Sequence, residues 1–328
     1  MIGAGPLLPG EPVATSPSTA LSAEAAAEVA DAREATFTTR RPTVDALEAR
    51  MFSAVPVLDH GFVRLVDYMG DDAAVVQAAR VSYGRGTRKV LEDRGLIRYL
   101  MRHRHTTPFE MCEIKLHVKL PIFIARQWIR HRTANVNEYS ARYSVMDREF
   151  YMPRPEDLAV QSRSNKQGRG DALTADQAAE VLSLLRRDAM QTFDSYERLM
   201  DEHGLARELA RIGLTLSTYT QWYWKVDLHN LLHFLSLRKH PHAQHEIRVY
   251  ADVIGDMVAE WVPLSWEAFS DYRLGGAFLS RGAVDIVRRA LAGERITREQ
   301  TALSGREWRE LMSVLDLPPT TTHVGSGS

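Results

Sequence analysis

MCEIKLHVKLPIFIARQWIRHR, residues 111–132, carries the signals on which the reading of the fold turns. Cys112, Ile114, Leu116, Val118 and Leu120 alternate with Glu113, Lys115, His117 and Lys119. That period of two predicts a strand with one buried and one polar face. Pro121 suits the first turn of a helix, and IFIARQWIR continues as one. The segment ends in Arg130-His131-Arg132, where the helix gives way to a loop. A loop held between a strand and a helix is a usual place for binding residues.

Working outward, residues 60–69 (HGFVRLVDYM) predict a second strand. Asp71 and Asp72 can cap a helix over 73–80, and a further helix is expected over 88–103. On the C-terminal side, 160–173 (VQSRSNKQGRGDAL) is polar with two glycines and reads as a long loop. Thr174 and Gln177 have the spacing of a capping box ahead of a long helix over 175–205. Residues 226–237 predict a buried helix capped by Asp227, and 242–262 another. The remainder to about 315 is helical and charged. The N-terminal residues, rich in Ala, Pro, Ser, Thr and Gly, read as a poorly ordered extension with a weak helix over 20–33. The expected fold class is therefore α/β in the broad sense, more narrowly α+β: one domain of long helices around a small antiparallel sheet. The expected organisation is an extension over 1–50, the domain over 51–275, and a helical extension with a flexible tail over 276–328.

With 328 residues and 45 % hydrophobic content, the chain can build a sizeable core. A formal net charge of −1 argues against a non-specific nucleic-acid binder, so no nucleic-acid partner is expected. A single cysteine allows no intrachain disulfide and suits a reducing compartment. No apolar run is long enough to span a bilayer, and the first residues lack the pattern of a secretory signal, so a cytoplasmic location away from membranes is expected.

Against that neutral background, Arg126, Arg130, Arg132 and Arg142 crowd a short segment with one carboxylate, Glu138. Unpaired cations repel one another, and an anionic ligand relieves them, because the guanidinium fork matches phosphate and carboxylate oxygens. A solvated basic helix end would show the same charge pattern. Cys112 lies on the apolar face of its strand and reads as structural rather than nucleophilic. His229 and His233 share a helix face, with His240, His242 and His245 nearby, but Asn230 and Leu231 stand where HExxH has its Glu. Histidines on a cofactor-facing or core surface fit better than a metal site, and no metal is expected. Ser140 has no nucleophile elbow around it and reads as a hydrogen-bond donor to an anion. Neither GxGxxG nor GxxxxGK[ST] occurs, so a bound dinucleotide would need another cradle.

Arg130-His131-Arg132 followed after seven residues by Ser140 resembles the signature of the flavin-dependent thymidylate synthases. AARVSYG (78–84), HTTPFE (105–110), FIARQWIRHR (123–132), NEYSARYS (137–144) and SLRKHPHAQHEIR (236–248) are similar to family segments in family order, together covering about 55–265. The resemblance implies a homotetramer with active sites between subunits. It implies conversion of dUMP to dTMP, with 5,10-methylenetetrahydrofolate giving the carbon, FAD carrying the hydride and NADPH reducing FAD. Position by position, it implies dUMP contacts at Gln127, Trp128, Ile129, Arg130, Glu138, Tyr139, Ser140, Ala141, Arg142, Arg211 and Arg238. Ser140 and Arg142 would hold the phosphate, and Arg238 would act catalytically beside the uracil ring. Flavin contacts would come from Ser82, His105, Thr107, Glu110, Arg130, His131, Arg132, Glu138, Asp227, His229 and His233. Asp227-Leu228-His229 stands where some members carry Asn-x-Arg, which leaves less positive charge near the flavin. Two other readings compete: an RNA- or single-strand-binding module stacking bases on Trp128 or Tyr139, and a histidine-liganded metalloenzyme.

Overall fold

A computed structural model describes residues 23–81, 90–162, 168–317 and 323–324. The chain divides into two compact units, Met1–Glu267 and Ala268–Ser328.

The first unit opens with helices α1 (Ala23–Glu34) and α2 (Asp45–Glu48). Leu47 of α2 is fully buried and the Val44 amide donates to the Tyr68 hydroxyl, so packing begins before residue 51. Strands β1 (Ala54–Val57) and β2 (Gly61–Met69) lead into α3 (Asp72–Arg80), α4 (Val90–Arg102) and α5 (Thr107–Glu110). Asp71 caps α3 by accepting from the Ala74 amide. Then come β3 (Glu113–Pro121), α6 (Ile122–Trp128), β4 (Asn135–Glu138), β5 (Ala159–Gln161) and β6 (Arg169–Ala172). The long helix α7 (Ala175–Asp201) starts with both halves of the Thr174–Gln177 capping box in place. The short α8 (Arg207–Ala210) precedes β7 (Tyr219–Asp227), α9 (Leu228–Arg238) and α10 (His245–Trp261), and α11 (Pro263–Phe269) runs across the end of the unit.

Five strands form an antiparallel sheet in the order β1-β2-β3-β7-β4. The alternation that predicts β3 is realised: Ile114, Leu116, Val118 and Leu120 are fully buried, and their neighbours face the other side. Pro121 differs from its expected place. It closes β3 opposite Tyr219 and stands at the N-cap of α6, where its missing N–H breaks no helix bond. Strand β7 carries no expectation from the sequence. It is flanked by aromatic residues on both faces, with Trp222 and Trp224 buried and Tyr223 exposed, and this blurs the alternation. Residues 160–173 are a correction too. They hold the two-stranded hairpin β5–β6 rather than loop alone, paired at Ala159–Ala172 and Gln161–Arg169.

The buried sheet face packs against α6, α9 and α10 around Trp128, which is 1 % exposed. Its ring centroid lies 4.6 Å from Phe234 of α9, 5.2 Å from Trp224 and 5.8 Å from Trp222 of β7, and 6.0 Å from Tyr250 of α10. This cluster fixes the end of α6, and so the Arg130–Arg132 segment that follows it.

The second unit contains α12 (Arg281–Leu291), β8 (Ile296–Thr297), α13 (Gly305–Val314) and β9 (His323–Val324). Ile286, Ile296, Trp308, Leu311 and Met312 form its own small core. Among the described residues, no helix is long and apolar enough to cross a membrane.

Replacing Trp128 by Ala removes the ring that four aromatic neighbours share. The Trp128→Ala variant is expected to lose about 3–5 kcal/mol of unfolding free energy, the usual cost of deleting a buried aromatic, read by urea denaturation. A loss under about 1 kcal/mol would show that this cluster does not anchor the α6–β7–α9 junction.

Candidate active site

The expected site residues fall into three groups. The first lies at the end of α6 and along α9. Arg238, the last residue of α9, donates from Nε to Nε2 of His131 at 3.0 Å and from Nη2 to the Gln127 carbonyl at 3.4 Å. The Gln127 side-chain amide donates to Oε1 of Gln244. The His131 ring lies 5.9 Å from the His233 ring and 5.0 Å edge-on to Phe234. Burial, then the charge of Arg238, then His233, lower the His131 pKa to about 4. Burial and the neighbouring Arg130 also lower that of Arg238. Arg130 and Arg132 are exposed, and among the described residues no carboxylate pairs with Arg130, Arg132 or Arg238. The group gathers positive charge with no carboxylate paired to these arginines among the described residues.

The second group follows β4. Glu138 accepts from the Thr220 hydroxyl at 2.8 Å, and the Tyr139 amide bonds the Gln221 carbonyl at 2.8 Å. The Tyr139 hydroxyl donates to the Val145 carbonyl at 3.0 Å. Ser140 heads a turn, its carbonyl accepting from the amides of Tyr143 and Ser144 and its Oγ from the Arg142 amide at 3.4 Å. Ala141 is buried with Met146, Phe193, Tyr196 and Ala210. Arg142 Nε is 3.5 Å from the Glu208 carboxylate, and Arg211 Nε donates to the Glu208 backbone carbonyl at 3.4 Å. Arg207 donates to the Tyr143 carbonyl at 2.6 Å. Three arginines thus come to the Ser140 turn and the adjoining α8, and the Glu208 carboxylate lies beside one of them, Arg142, a set that suits a phosphate. A cleft of about 260 Å³ adjoins this group, lined by His117, Asn137, Glu138, Tyr139, Gln221, Trp222 and Tyr223.

The third group is on α5 and the start of α9, which pack together. His105 lies 5.9 Å, ring to ring, from Tyr99; Thr107 and Glu110 are the first and last residues of α5. Asp227 is the N-cap of α9. Its Oδ1 accepts from the Asn230 amide at 2.9 Å and its Oδ2 from the Asn230 side chain at 2.6 Å. Ser82 lies outside the described residues.

Hydrogen bonds join Gln127, His131 and Arg238 within the first group, while Ser140, Arg142 and Arg211 are held together separately in the second. Trp128 is core, so its indole offers no stacking platform to a polynucleotide. Ile129 is exposed at the helix end. Among the described residues, no group of three or more His, Cys, Asp or Glu side chains is placed to hold a metal ion. Gln244, Arg207, Glu208 and His117 carry no expectation from the sequence. Arg207 and Arg211, four residues apart on a helical segment, were the available signal for an anion site.

Cys112 is fully buried, and its thiol lies 3.4 Å from the Asp71 carbonyl. Burial first, then Asp71 and Asp72, push its pKa up to about 12. A thiol so placed is not a nucleophile at neutral pH. Cys112→Ala is expected to keep turnover within about threefold, provided it folds. Inactivity of well-folded Cys112→Ala protein would contradict the structural reading.

Residues 64–264 match the family described as Thymidylate synthase complementing protein. The chain is 64 % identical over 299 residues to the flavin-dependent thymidylate synthase of Gluconobacter oxydans (strain 621H), covering 90 % of this chain and 99 % of that one. It is 61 % identical over 298 residues to the protein of the same name from Ruegeria pomeroyi, covering 90 % and 99 % of the two chains. Among solved structures it is similar to the UMP/dUMP methylase PolB from Streptomyces cacaoi bound with 5-Br dUMP. There the identity is 36 % and the TM-score 0.61, covering 67 % of this chain and 99 % of PolB.

Proposed function

The chain belongs to the thymidylate synthase complementing protein family and is a flavin-dependent thymidylate synthase, and on that premise we infer how its residues divide the work. dUMP is the nucleotide that the two arginine groups receive. Ser140, Arg142 and Arg211 take the phosphate, with Glu138, Tyr139 and Ala141 shaping the turn around it. Gln127, Arg130 and Arg238 take the base, with the backbone of Trp128 and Ile129 between them. The observation that carries this reading is Arg238, held at His131 and the Gln127 carbonyl with no carboxylate partner among the described residues. A guanidinium stays protonated at any working pH. Beside a uracil ring it favours ionisation at N3 and raises electron density at C5, the carbon that must form the new bond.

The flavin fits the remaining charge. Arg130 and Arg132, exposed and without carboxylate partners among the described residues, suit a pyrophosphate. His105, Thr107, Glu110, Glu138, Asp227, His229 and His233 would hold the rest, with His131 and, by family position, Ser82. When bound, FAD supplies the hydride chemistry, and the protein supplies position and charge. NADPH reduces the flavin and 5,10-methylenetetrahydrofolate gives the carbon. By family resemblance the assembly is a homotetramer in which one protomer completes the site of its neighbour. The catalytic part is residues 51–275, the setting is cytoplasmic, and neither nucleic acid nor membrane is a partner.

Product formation from dUMP is the direct test, with methylenetetrahydrofolate, FAD and NADPH each omitted in turn. dTMP is expected only when all are present. Turnover that persists without FAD would sink the reading. Ser140→Ala is expected to raise the KM for dUMP about tenfold, the size of one hydrogen bond to a charged group, with little change in kcat. A fall in kcat at saturating dUMP would place Ser140 in the chemical step instead.

A further inference from the structure

Arg238 is aimed by something other than a carboxylate. An arginine at a reacting centre is most often steadied by Asp or Glu, at the cost of neutralising the charge it is there to supply. Here the Nε–H of Arg238 goes to a neutral acceptor, Nε2 of His131, at 3.0 Å, and one Nη2 proton goes to the Gln127 carbonyl at 3.4 Å. Both acceptors are uncharged, so the guanidinium is oriented with its full positive charge intact. Nη1 makes neither of these two bonds.

We propose that His131 is a positioning residue for Arg238: its unprotonated Nε2 accepts the Nε proton and turns the Nη1 side of the guanidinium to the uracil ring. The proposal rests on the reading of Arg238 given above and adds a role for the central histidine of the Arg-His-Arg run. An imidazole nitrogen can accept only if it carries no proton, so the ring proton sits on Nδ1. The surroundings enforce this. His131 faces Arg238 and His233 on α9 and adjoins Arg130 on its own segment. A second proton on the ring would remove the lone pair and add another cation to this set. Burial, then Arg238 and His233, hold the His131 pKa at about 4, so the neutral form persists through the physiological range. The edge of Phe234, 5.0 Å away, fixes the ring plane. Phe234 in turn is held by Trp128, so the aim of Arg238 is set by the core.

The test uses the full-length, FAD-saturated protein and 5-bromo-dUMP. The electron-withdrawing bromine brings N3 ionisation closer to neutrality than in dUMP. Affinity is measured by equilibrium dialysis at pH values on both sides of that ionisation. Wild-type affinity is expected to rise with pH as the ring becomes an anion beside Arg238. In His131→Leu, which has no acceptor, this rise is expected to shrink by about tenfold, the size of one charge-assisted hydrogen bond. His131→Gln, whose amide oxygen can reach the Nε2 position, is expected to restore it. Arg238→Ala separates the two claims. If Arg238→Ala keeps the wild-type rise, the reading of Arg238 itself fails. If Arg238→Ala loses the rise and His131→Leu keeps it, the positioning role fails alone. Equal loss in His131→Leu and His131→Gln would also overturn it, because the acceptor would then not matter. A measurement on the unaltered protein stands independently of any folding defect. The 15N resonances of His131 should show Nδ1 protonated and Nε2 bare at neutral pH, and the opposite tautomer would overturn the proposal.

Discussion

Trp128 is flanked in the chain by Gln127 on one side and Ile129, Arg130 and His131 on the other, and the packing of its indole sets the direction of them all. The ring sits among Trp222 and Trp224 of β7, Phe234 of α9 and Tyr250 of α10. Close-packed interiors leave a ring of that size little freedom. Because α6 has only seven residues and ends at Trp128, the last turn cannot rotate without tearing the indole from this cluster. The same contact reaches α9 through Phe234, so the two segments that supply His131 and Arg238 are fixed to one point. Their 3.0 Å hydrogen bond is a consequence of core packing rather than of local sequence.

That packing holds together groups which would otherwise repel. Arg130, Arg132, His131, His233 and Arg238 gather with no carboxylate described among the partners of the arginines. Charge of one sign, half-buried and unpaired, lowers stability. The chain meets that cost in two ways. His131 stays neutral, which removes one cation from the set, and most of the remaining charge is left exposed, where water screens it. On the reading proposed above, an anionic ligand neutralises the rest. Where the chain needs charge only for stability, it pairs it: Arg50 with Glu260, Lys119 with Glu149, Lys239 with Asp252.

How much of this was legible in the sequence depended on one physical property, whether an element has a single buried face. Strand β3 has one, and its alternation reads directly from Cys112 to Leu120. The caps at Asp71, Thr174 and Asp227 were legible because each side chain bonds an amide within its own turn. Strand β7 was not, because Trp222 and Trp224 are buried while the intervening Tyr223 is itself aromatic and pairs with His117 on the open face. The β5–β6 hairpin was missed for the opposite reason: it is short, with β6 wholly exposed, and hides no apolar stripe. In the site, local charge marked Arg130 to Arg142, but Gln244 and Glu208 come from segments far along the chain. Their roles arise only when α6 meets the start of α10 and when the turn at Ser140 meets α8. The resemblance named the residues; the hydrogen bond from Arg238 to His131 is seen only in the structure.

The Asp227-Leu228-His229 variant follows from the same separation of structural and chemical demands. Position 227 must cap α9, and Asp and Asn cap about equally well. The Asp227 carboxylate spends both oxygens on Asn230, one on the amide and one on the side chain. Its charge also lies at the positive end of the α9 dipole, which offsets part of it. An acid at this position therefore serves the fold without presenting a bare carboxylate to a flavin. His229 stands where some members carry an arginine, a permanent cation. The exchange changes the electrostatics at the start of α9 while leaving the helix anchored by its cap, so the positions of His233 and Arg238 along α9 do not depend on which of the two residues stands at 227.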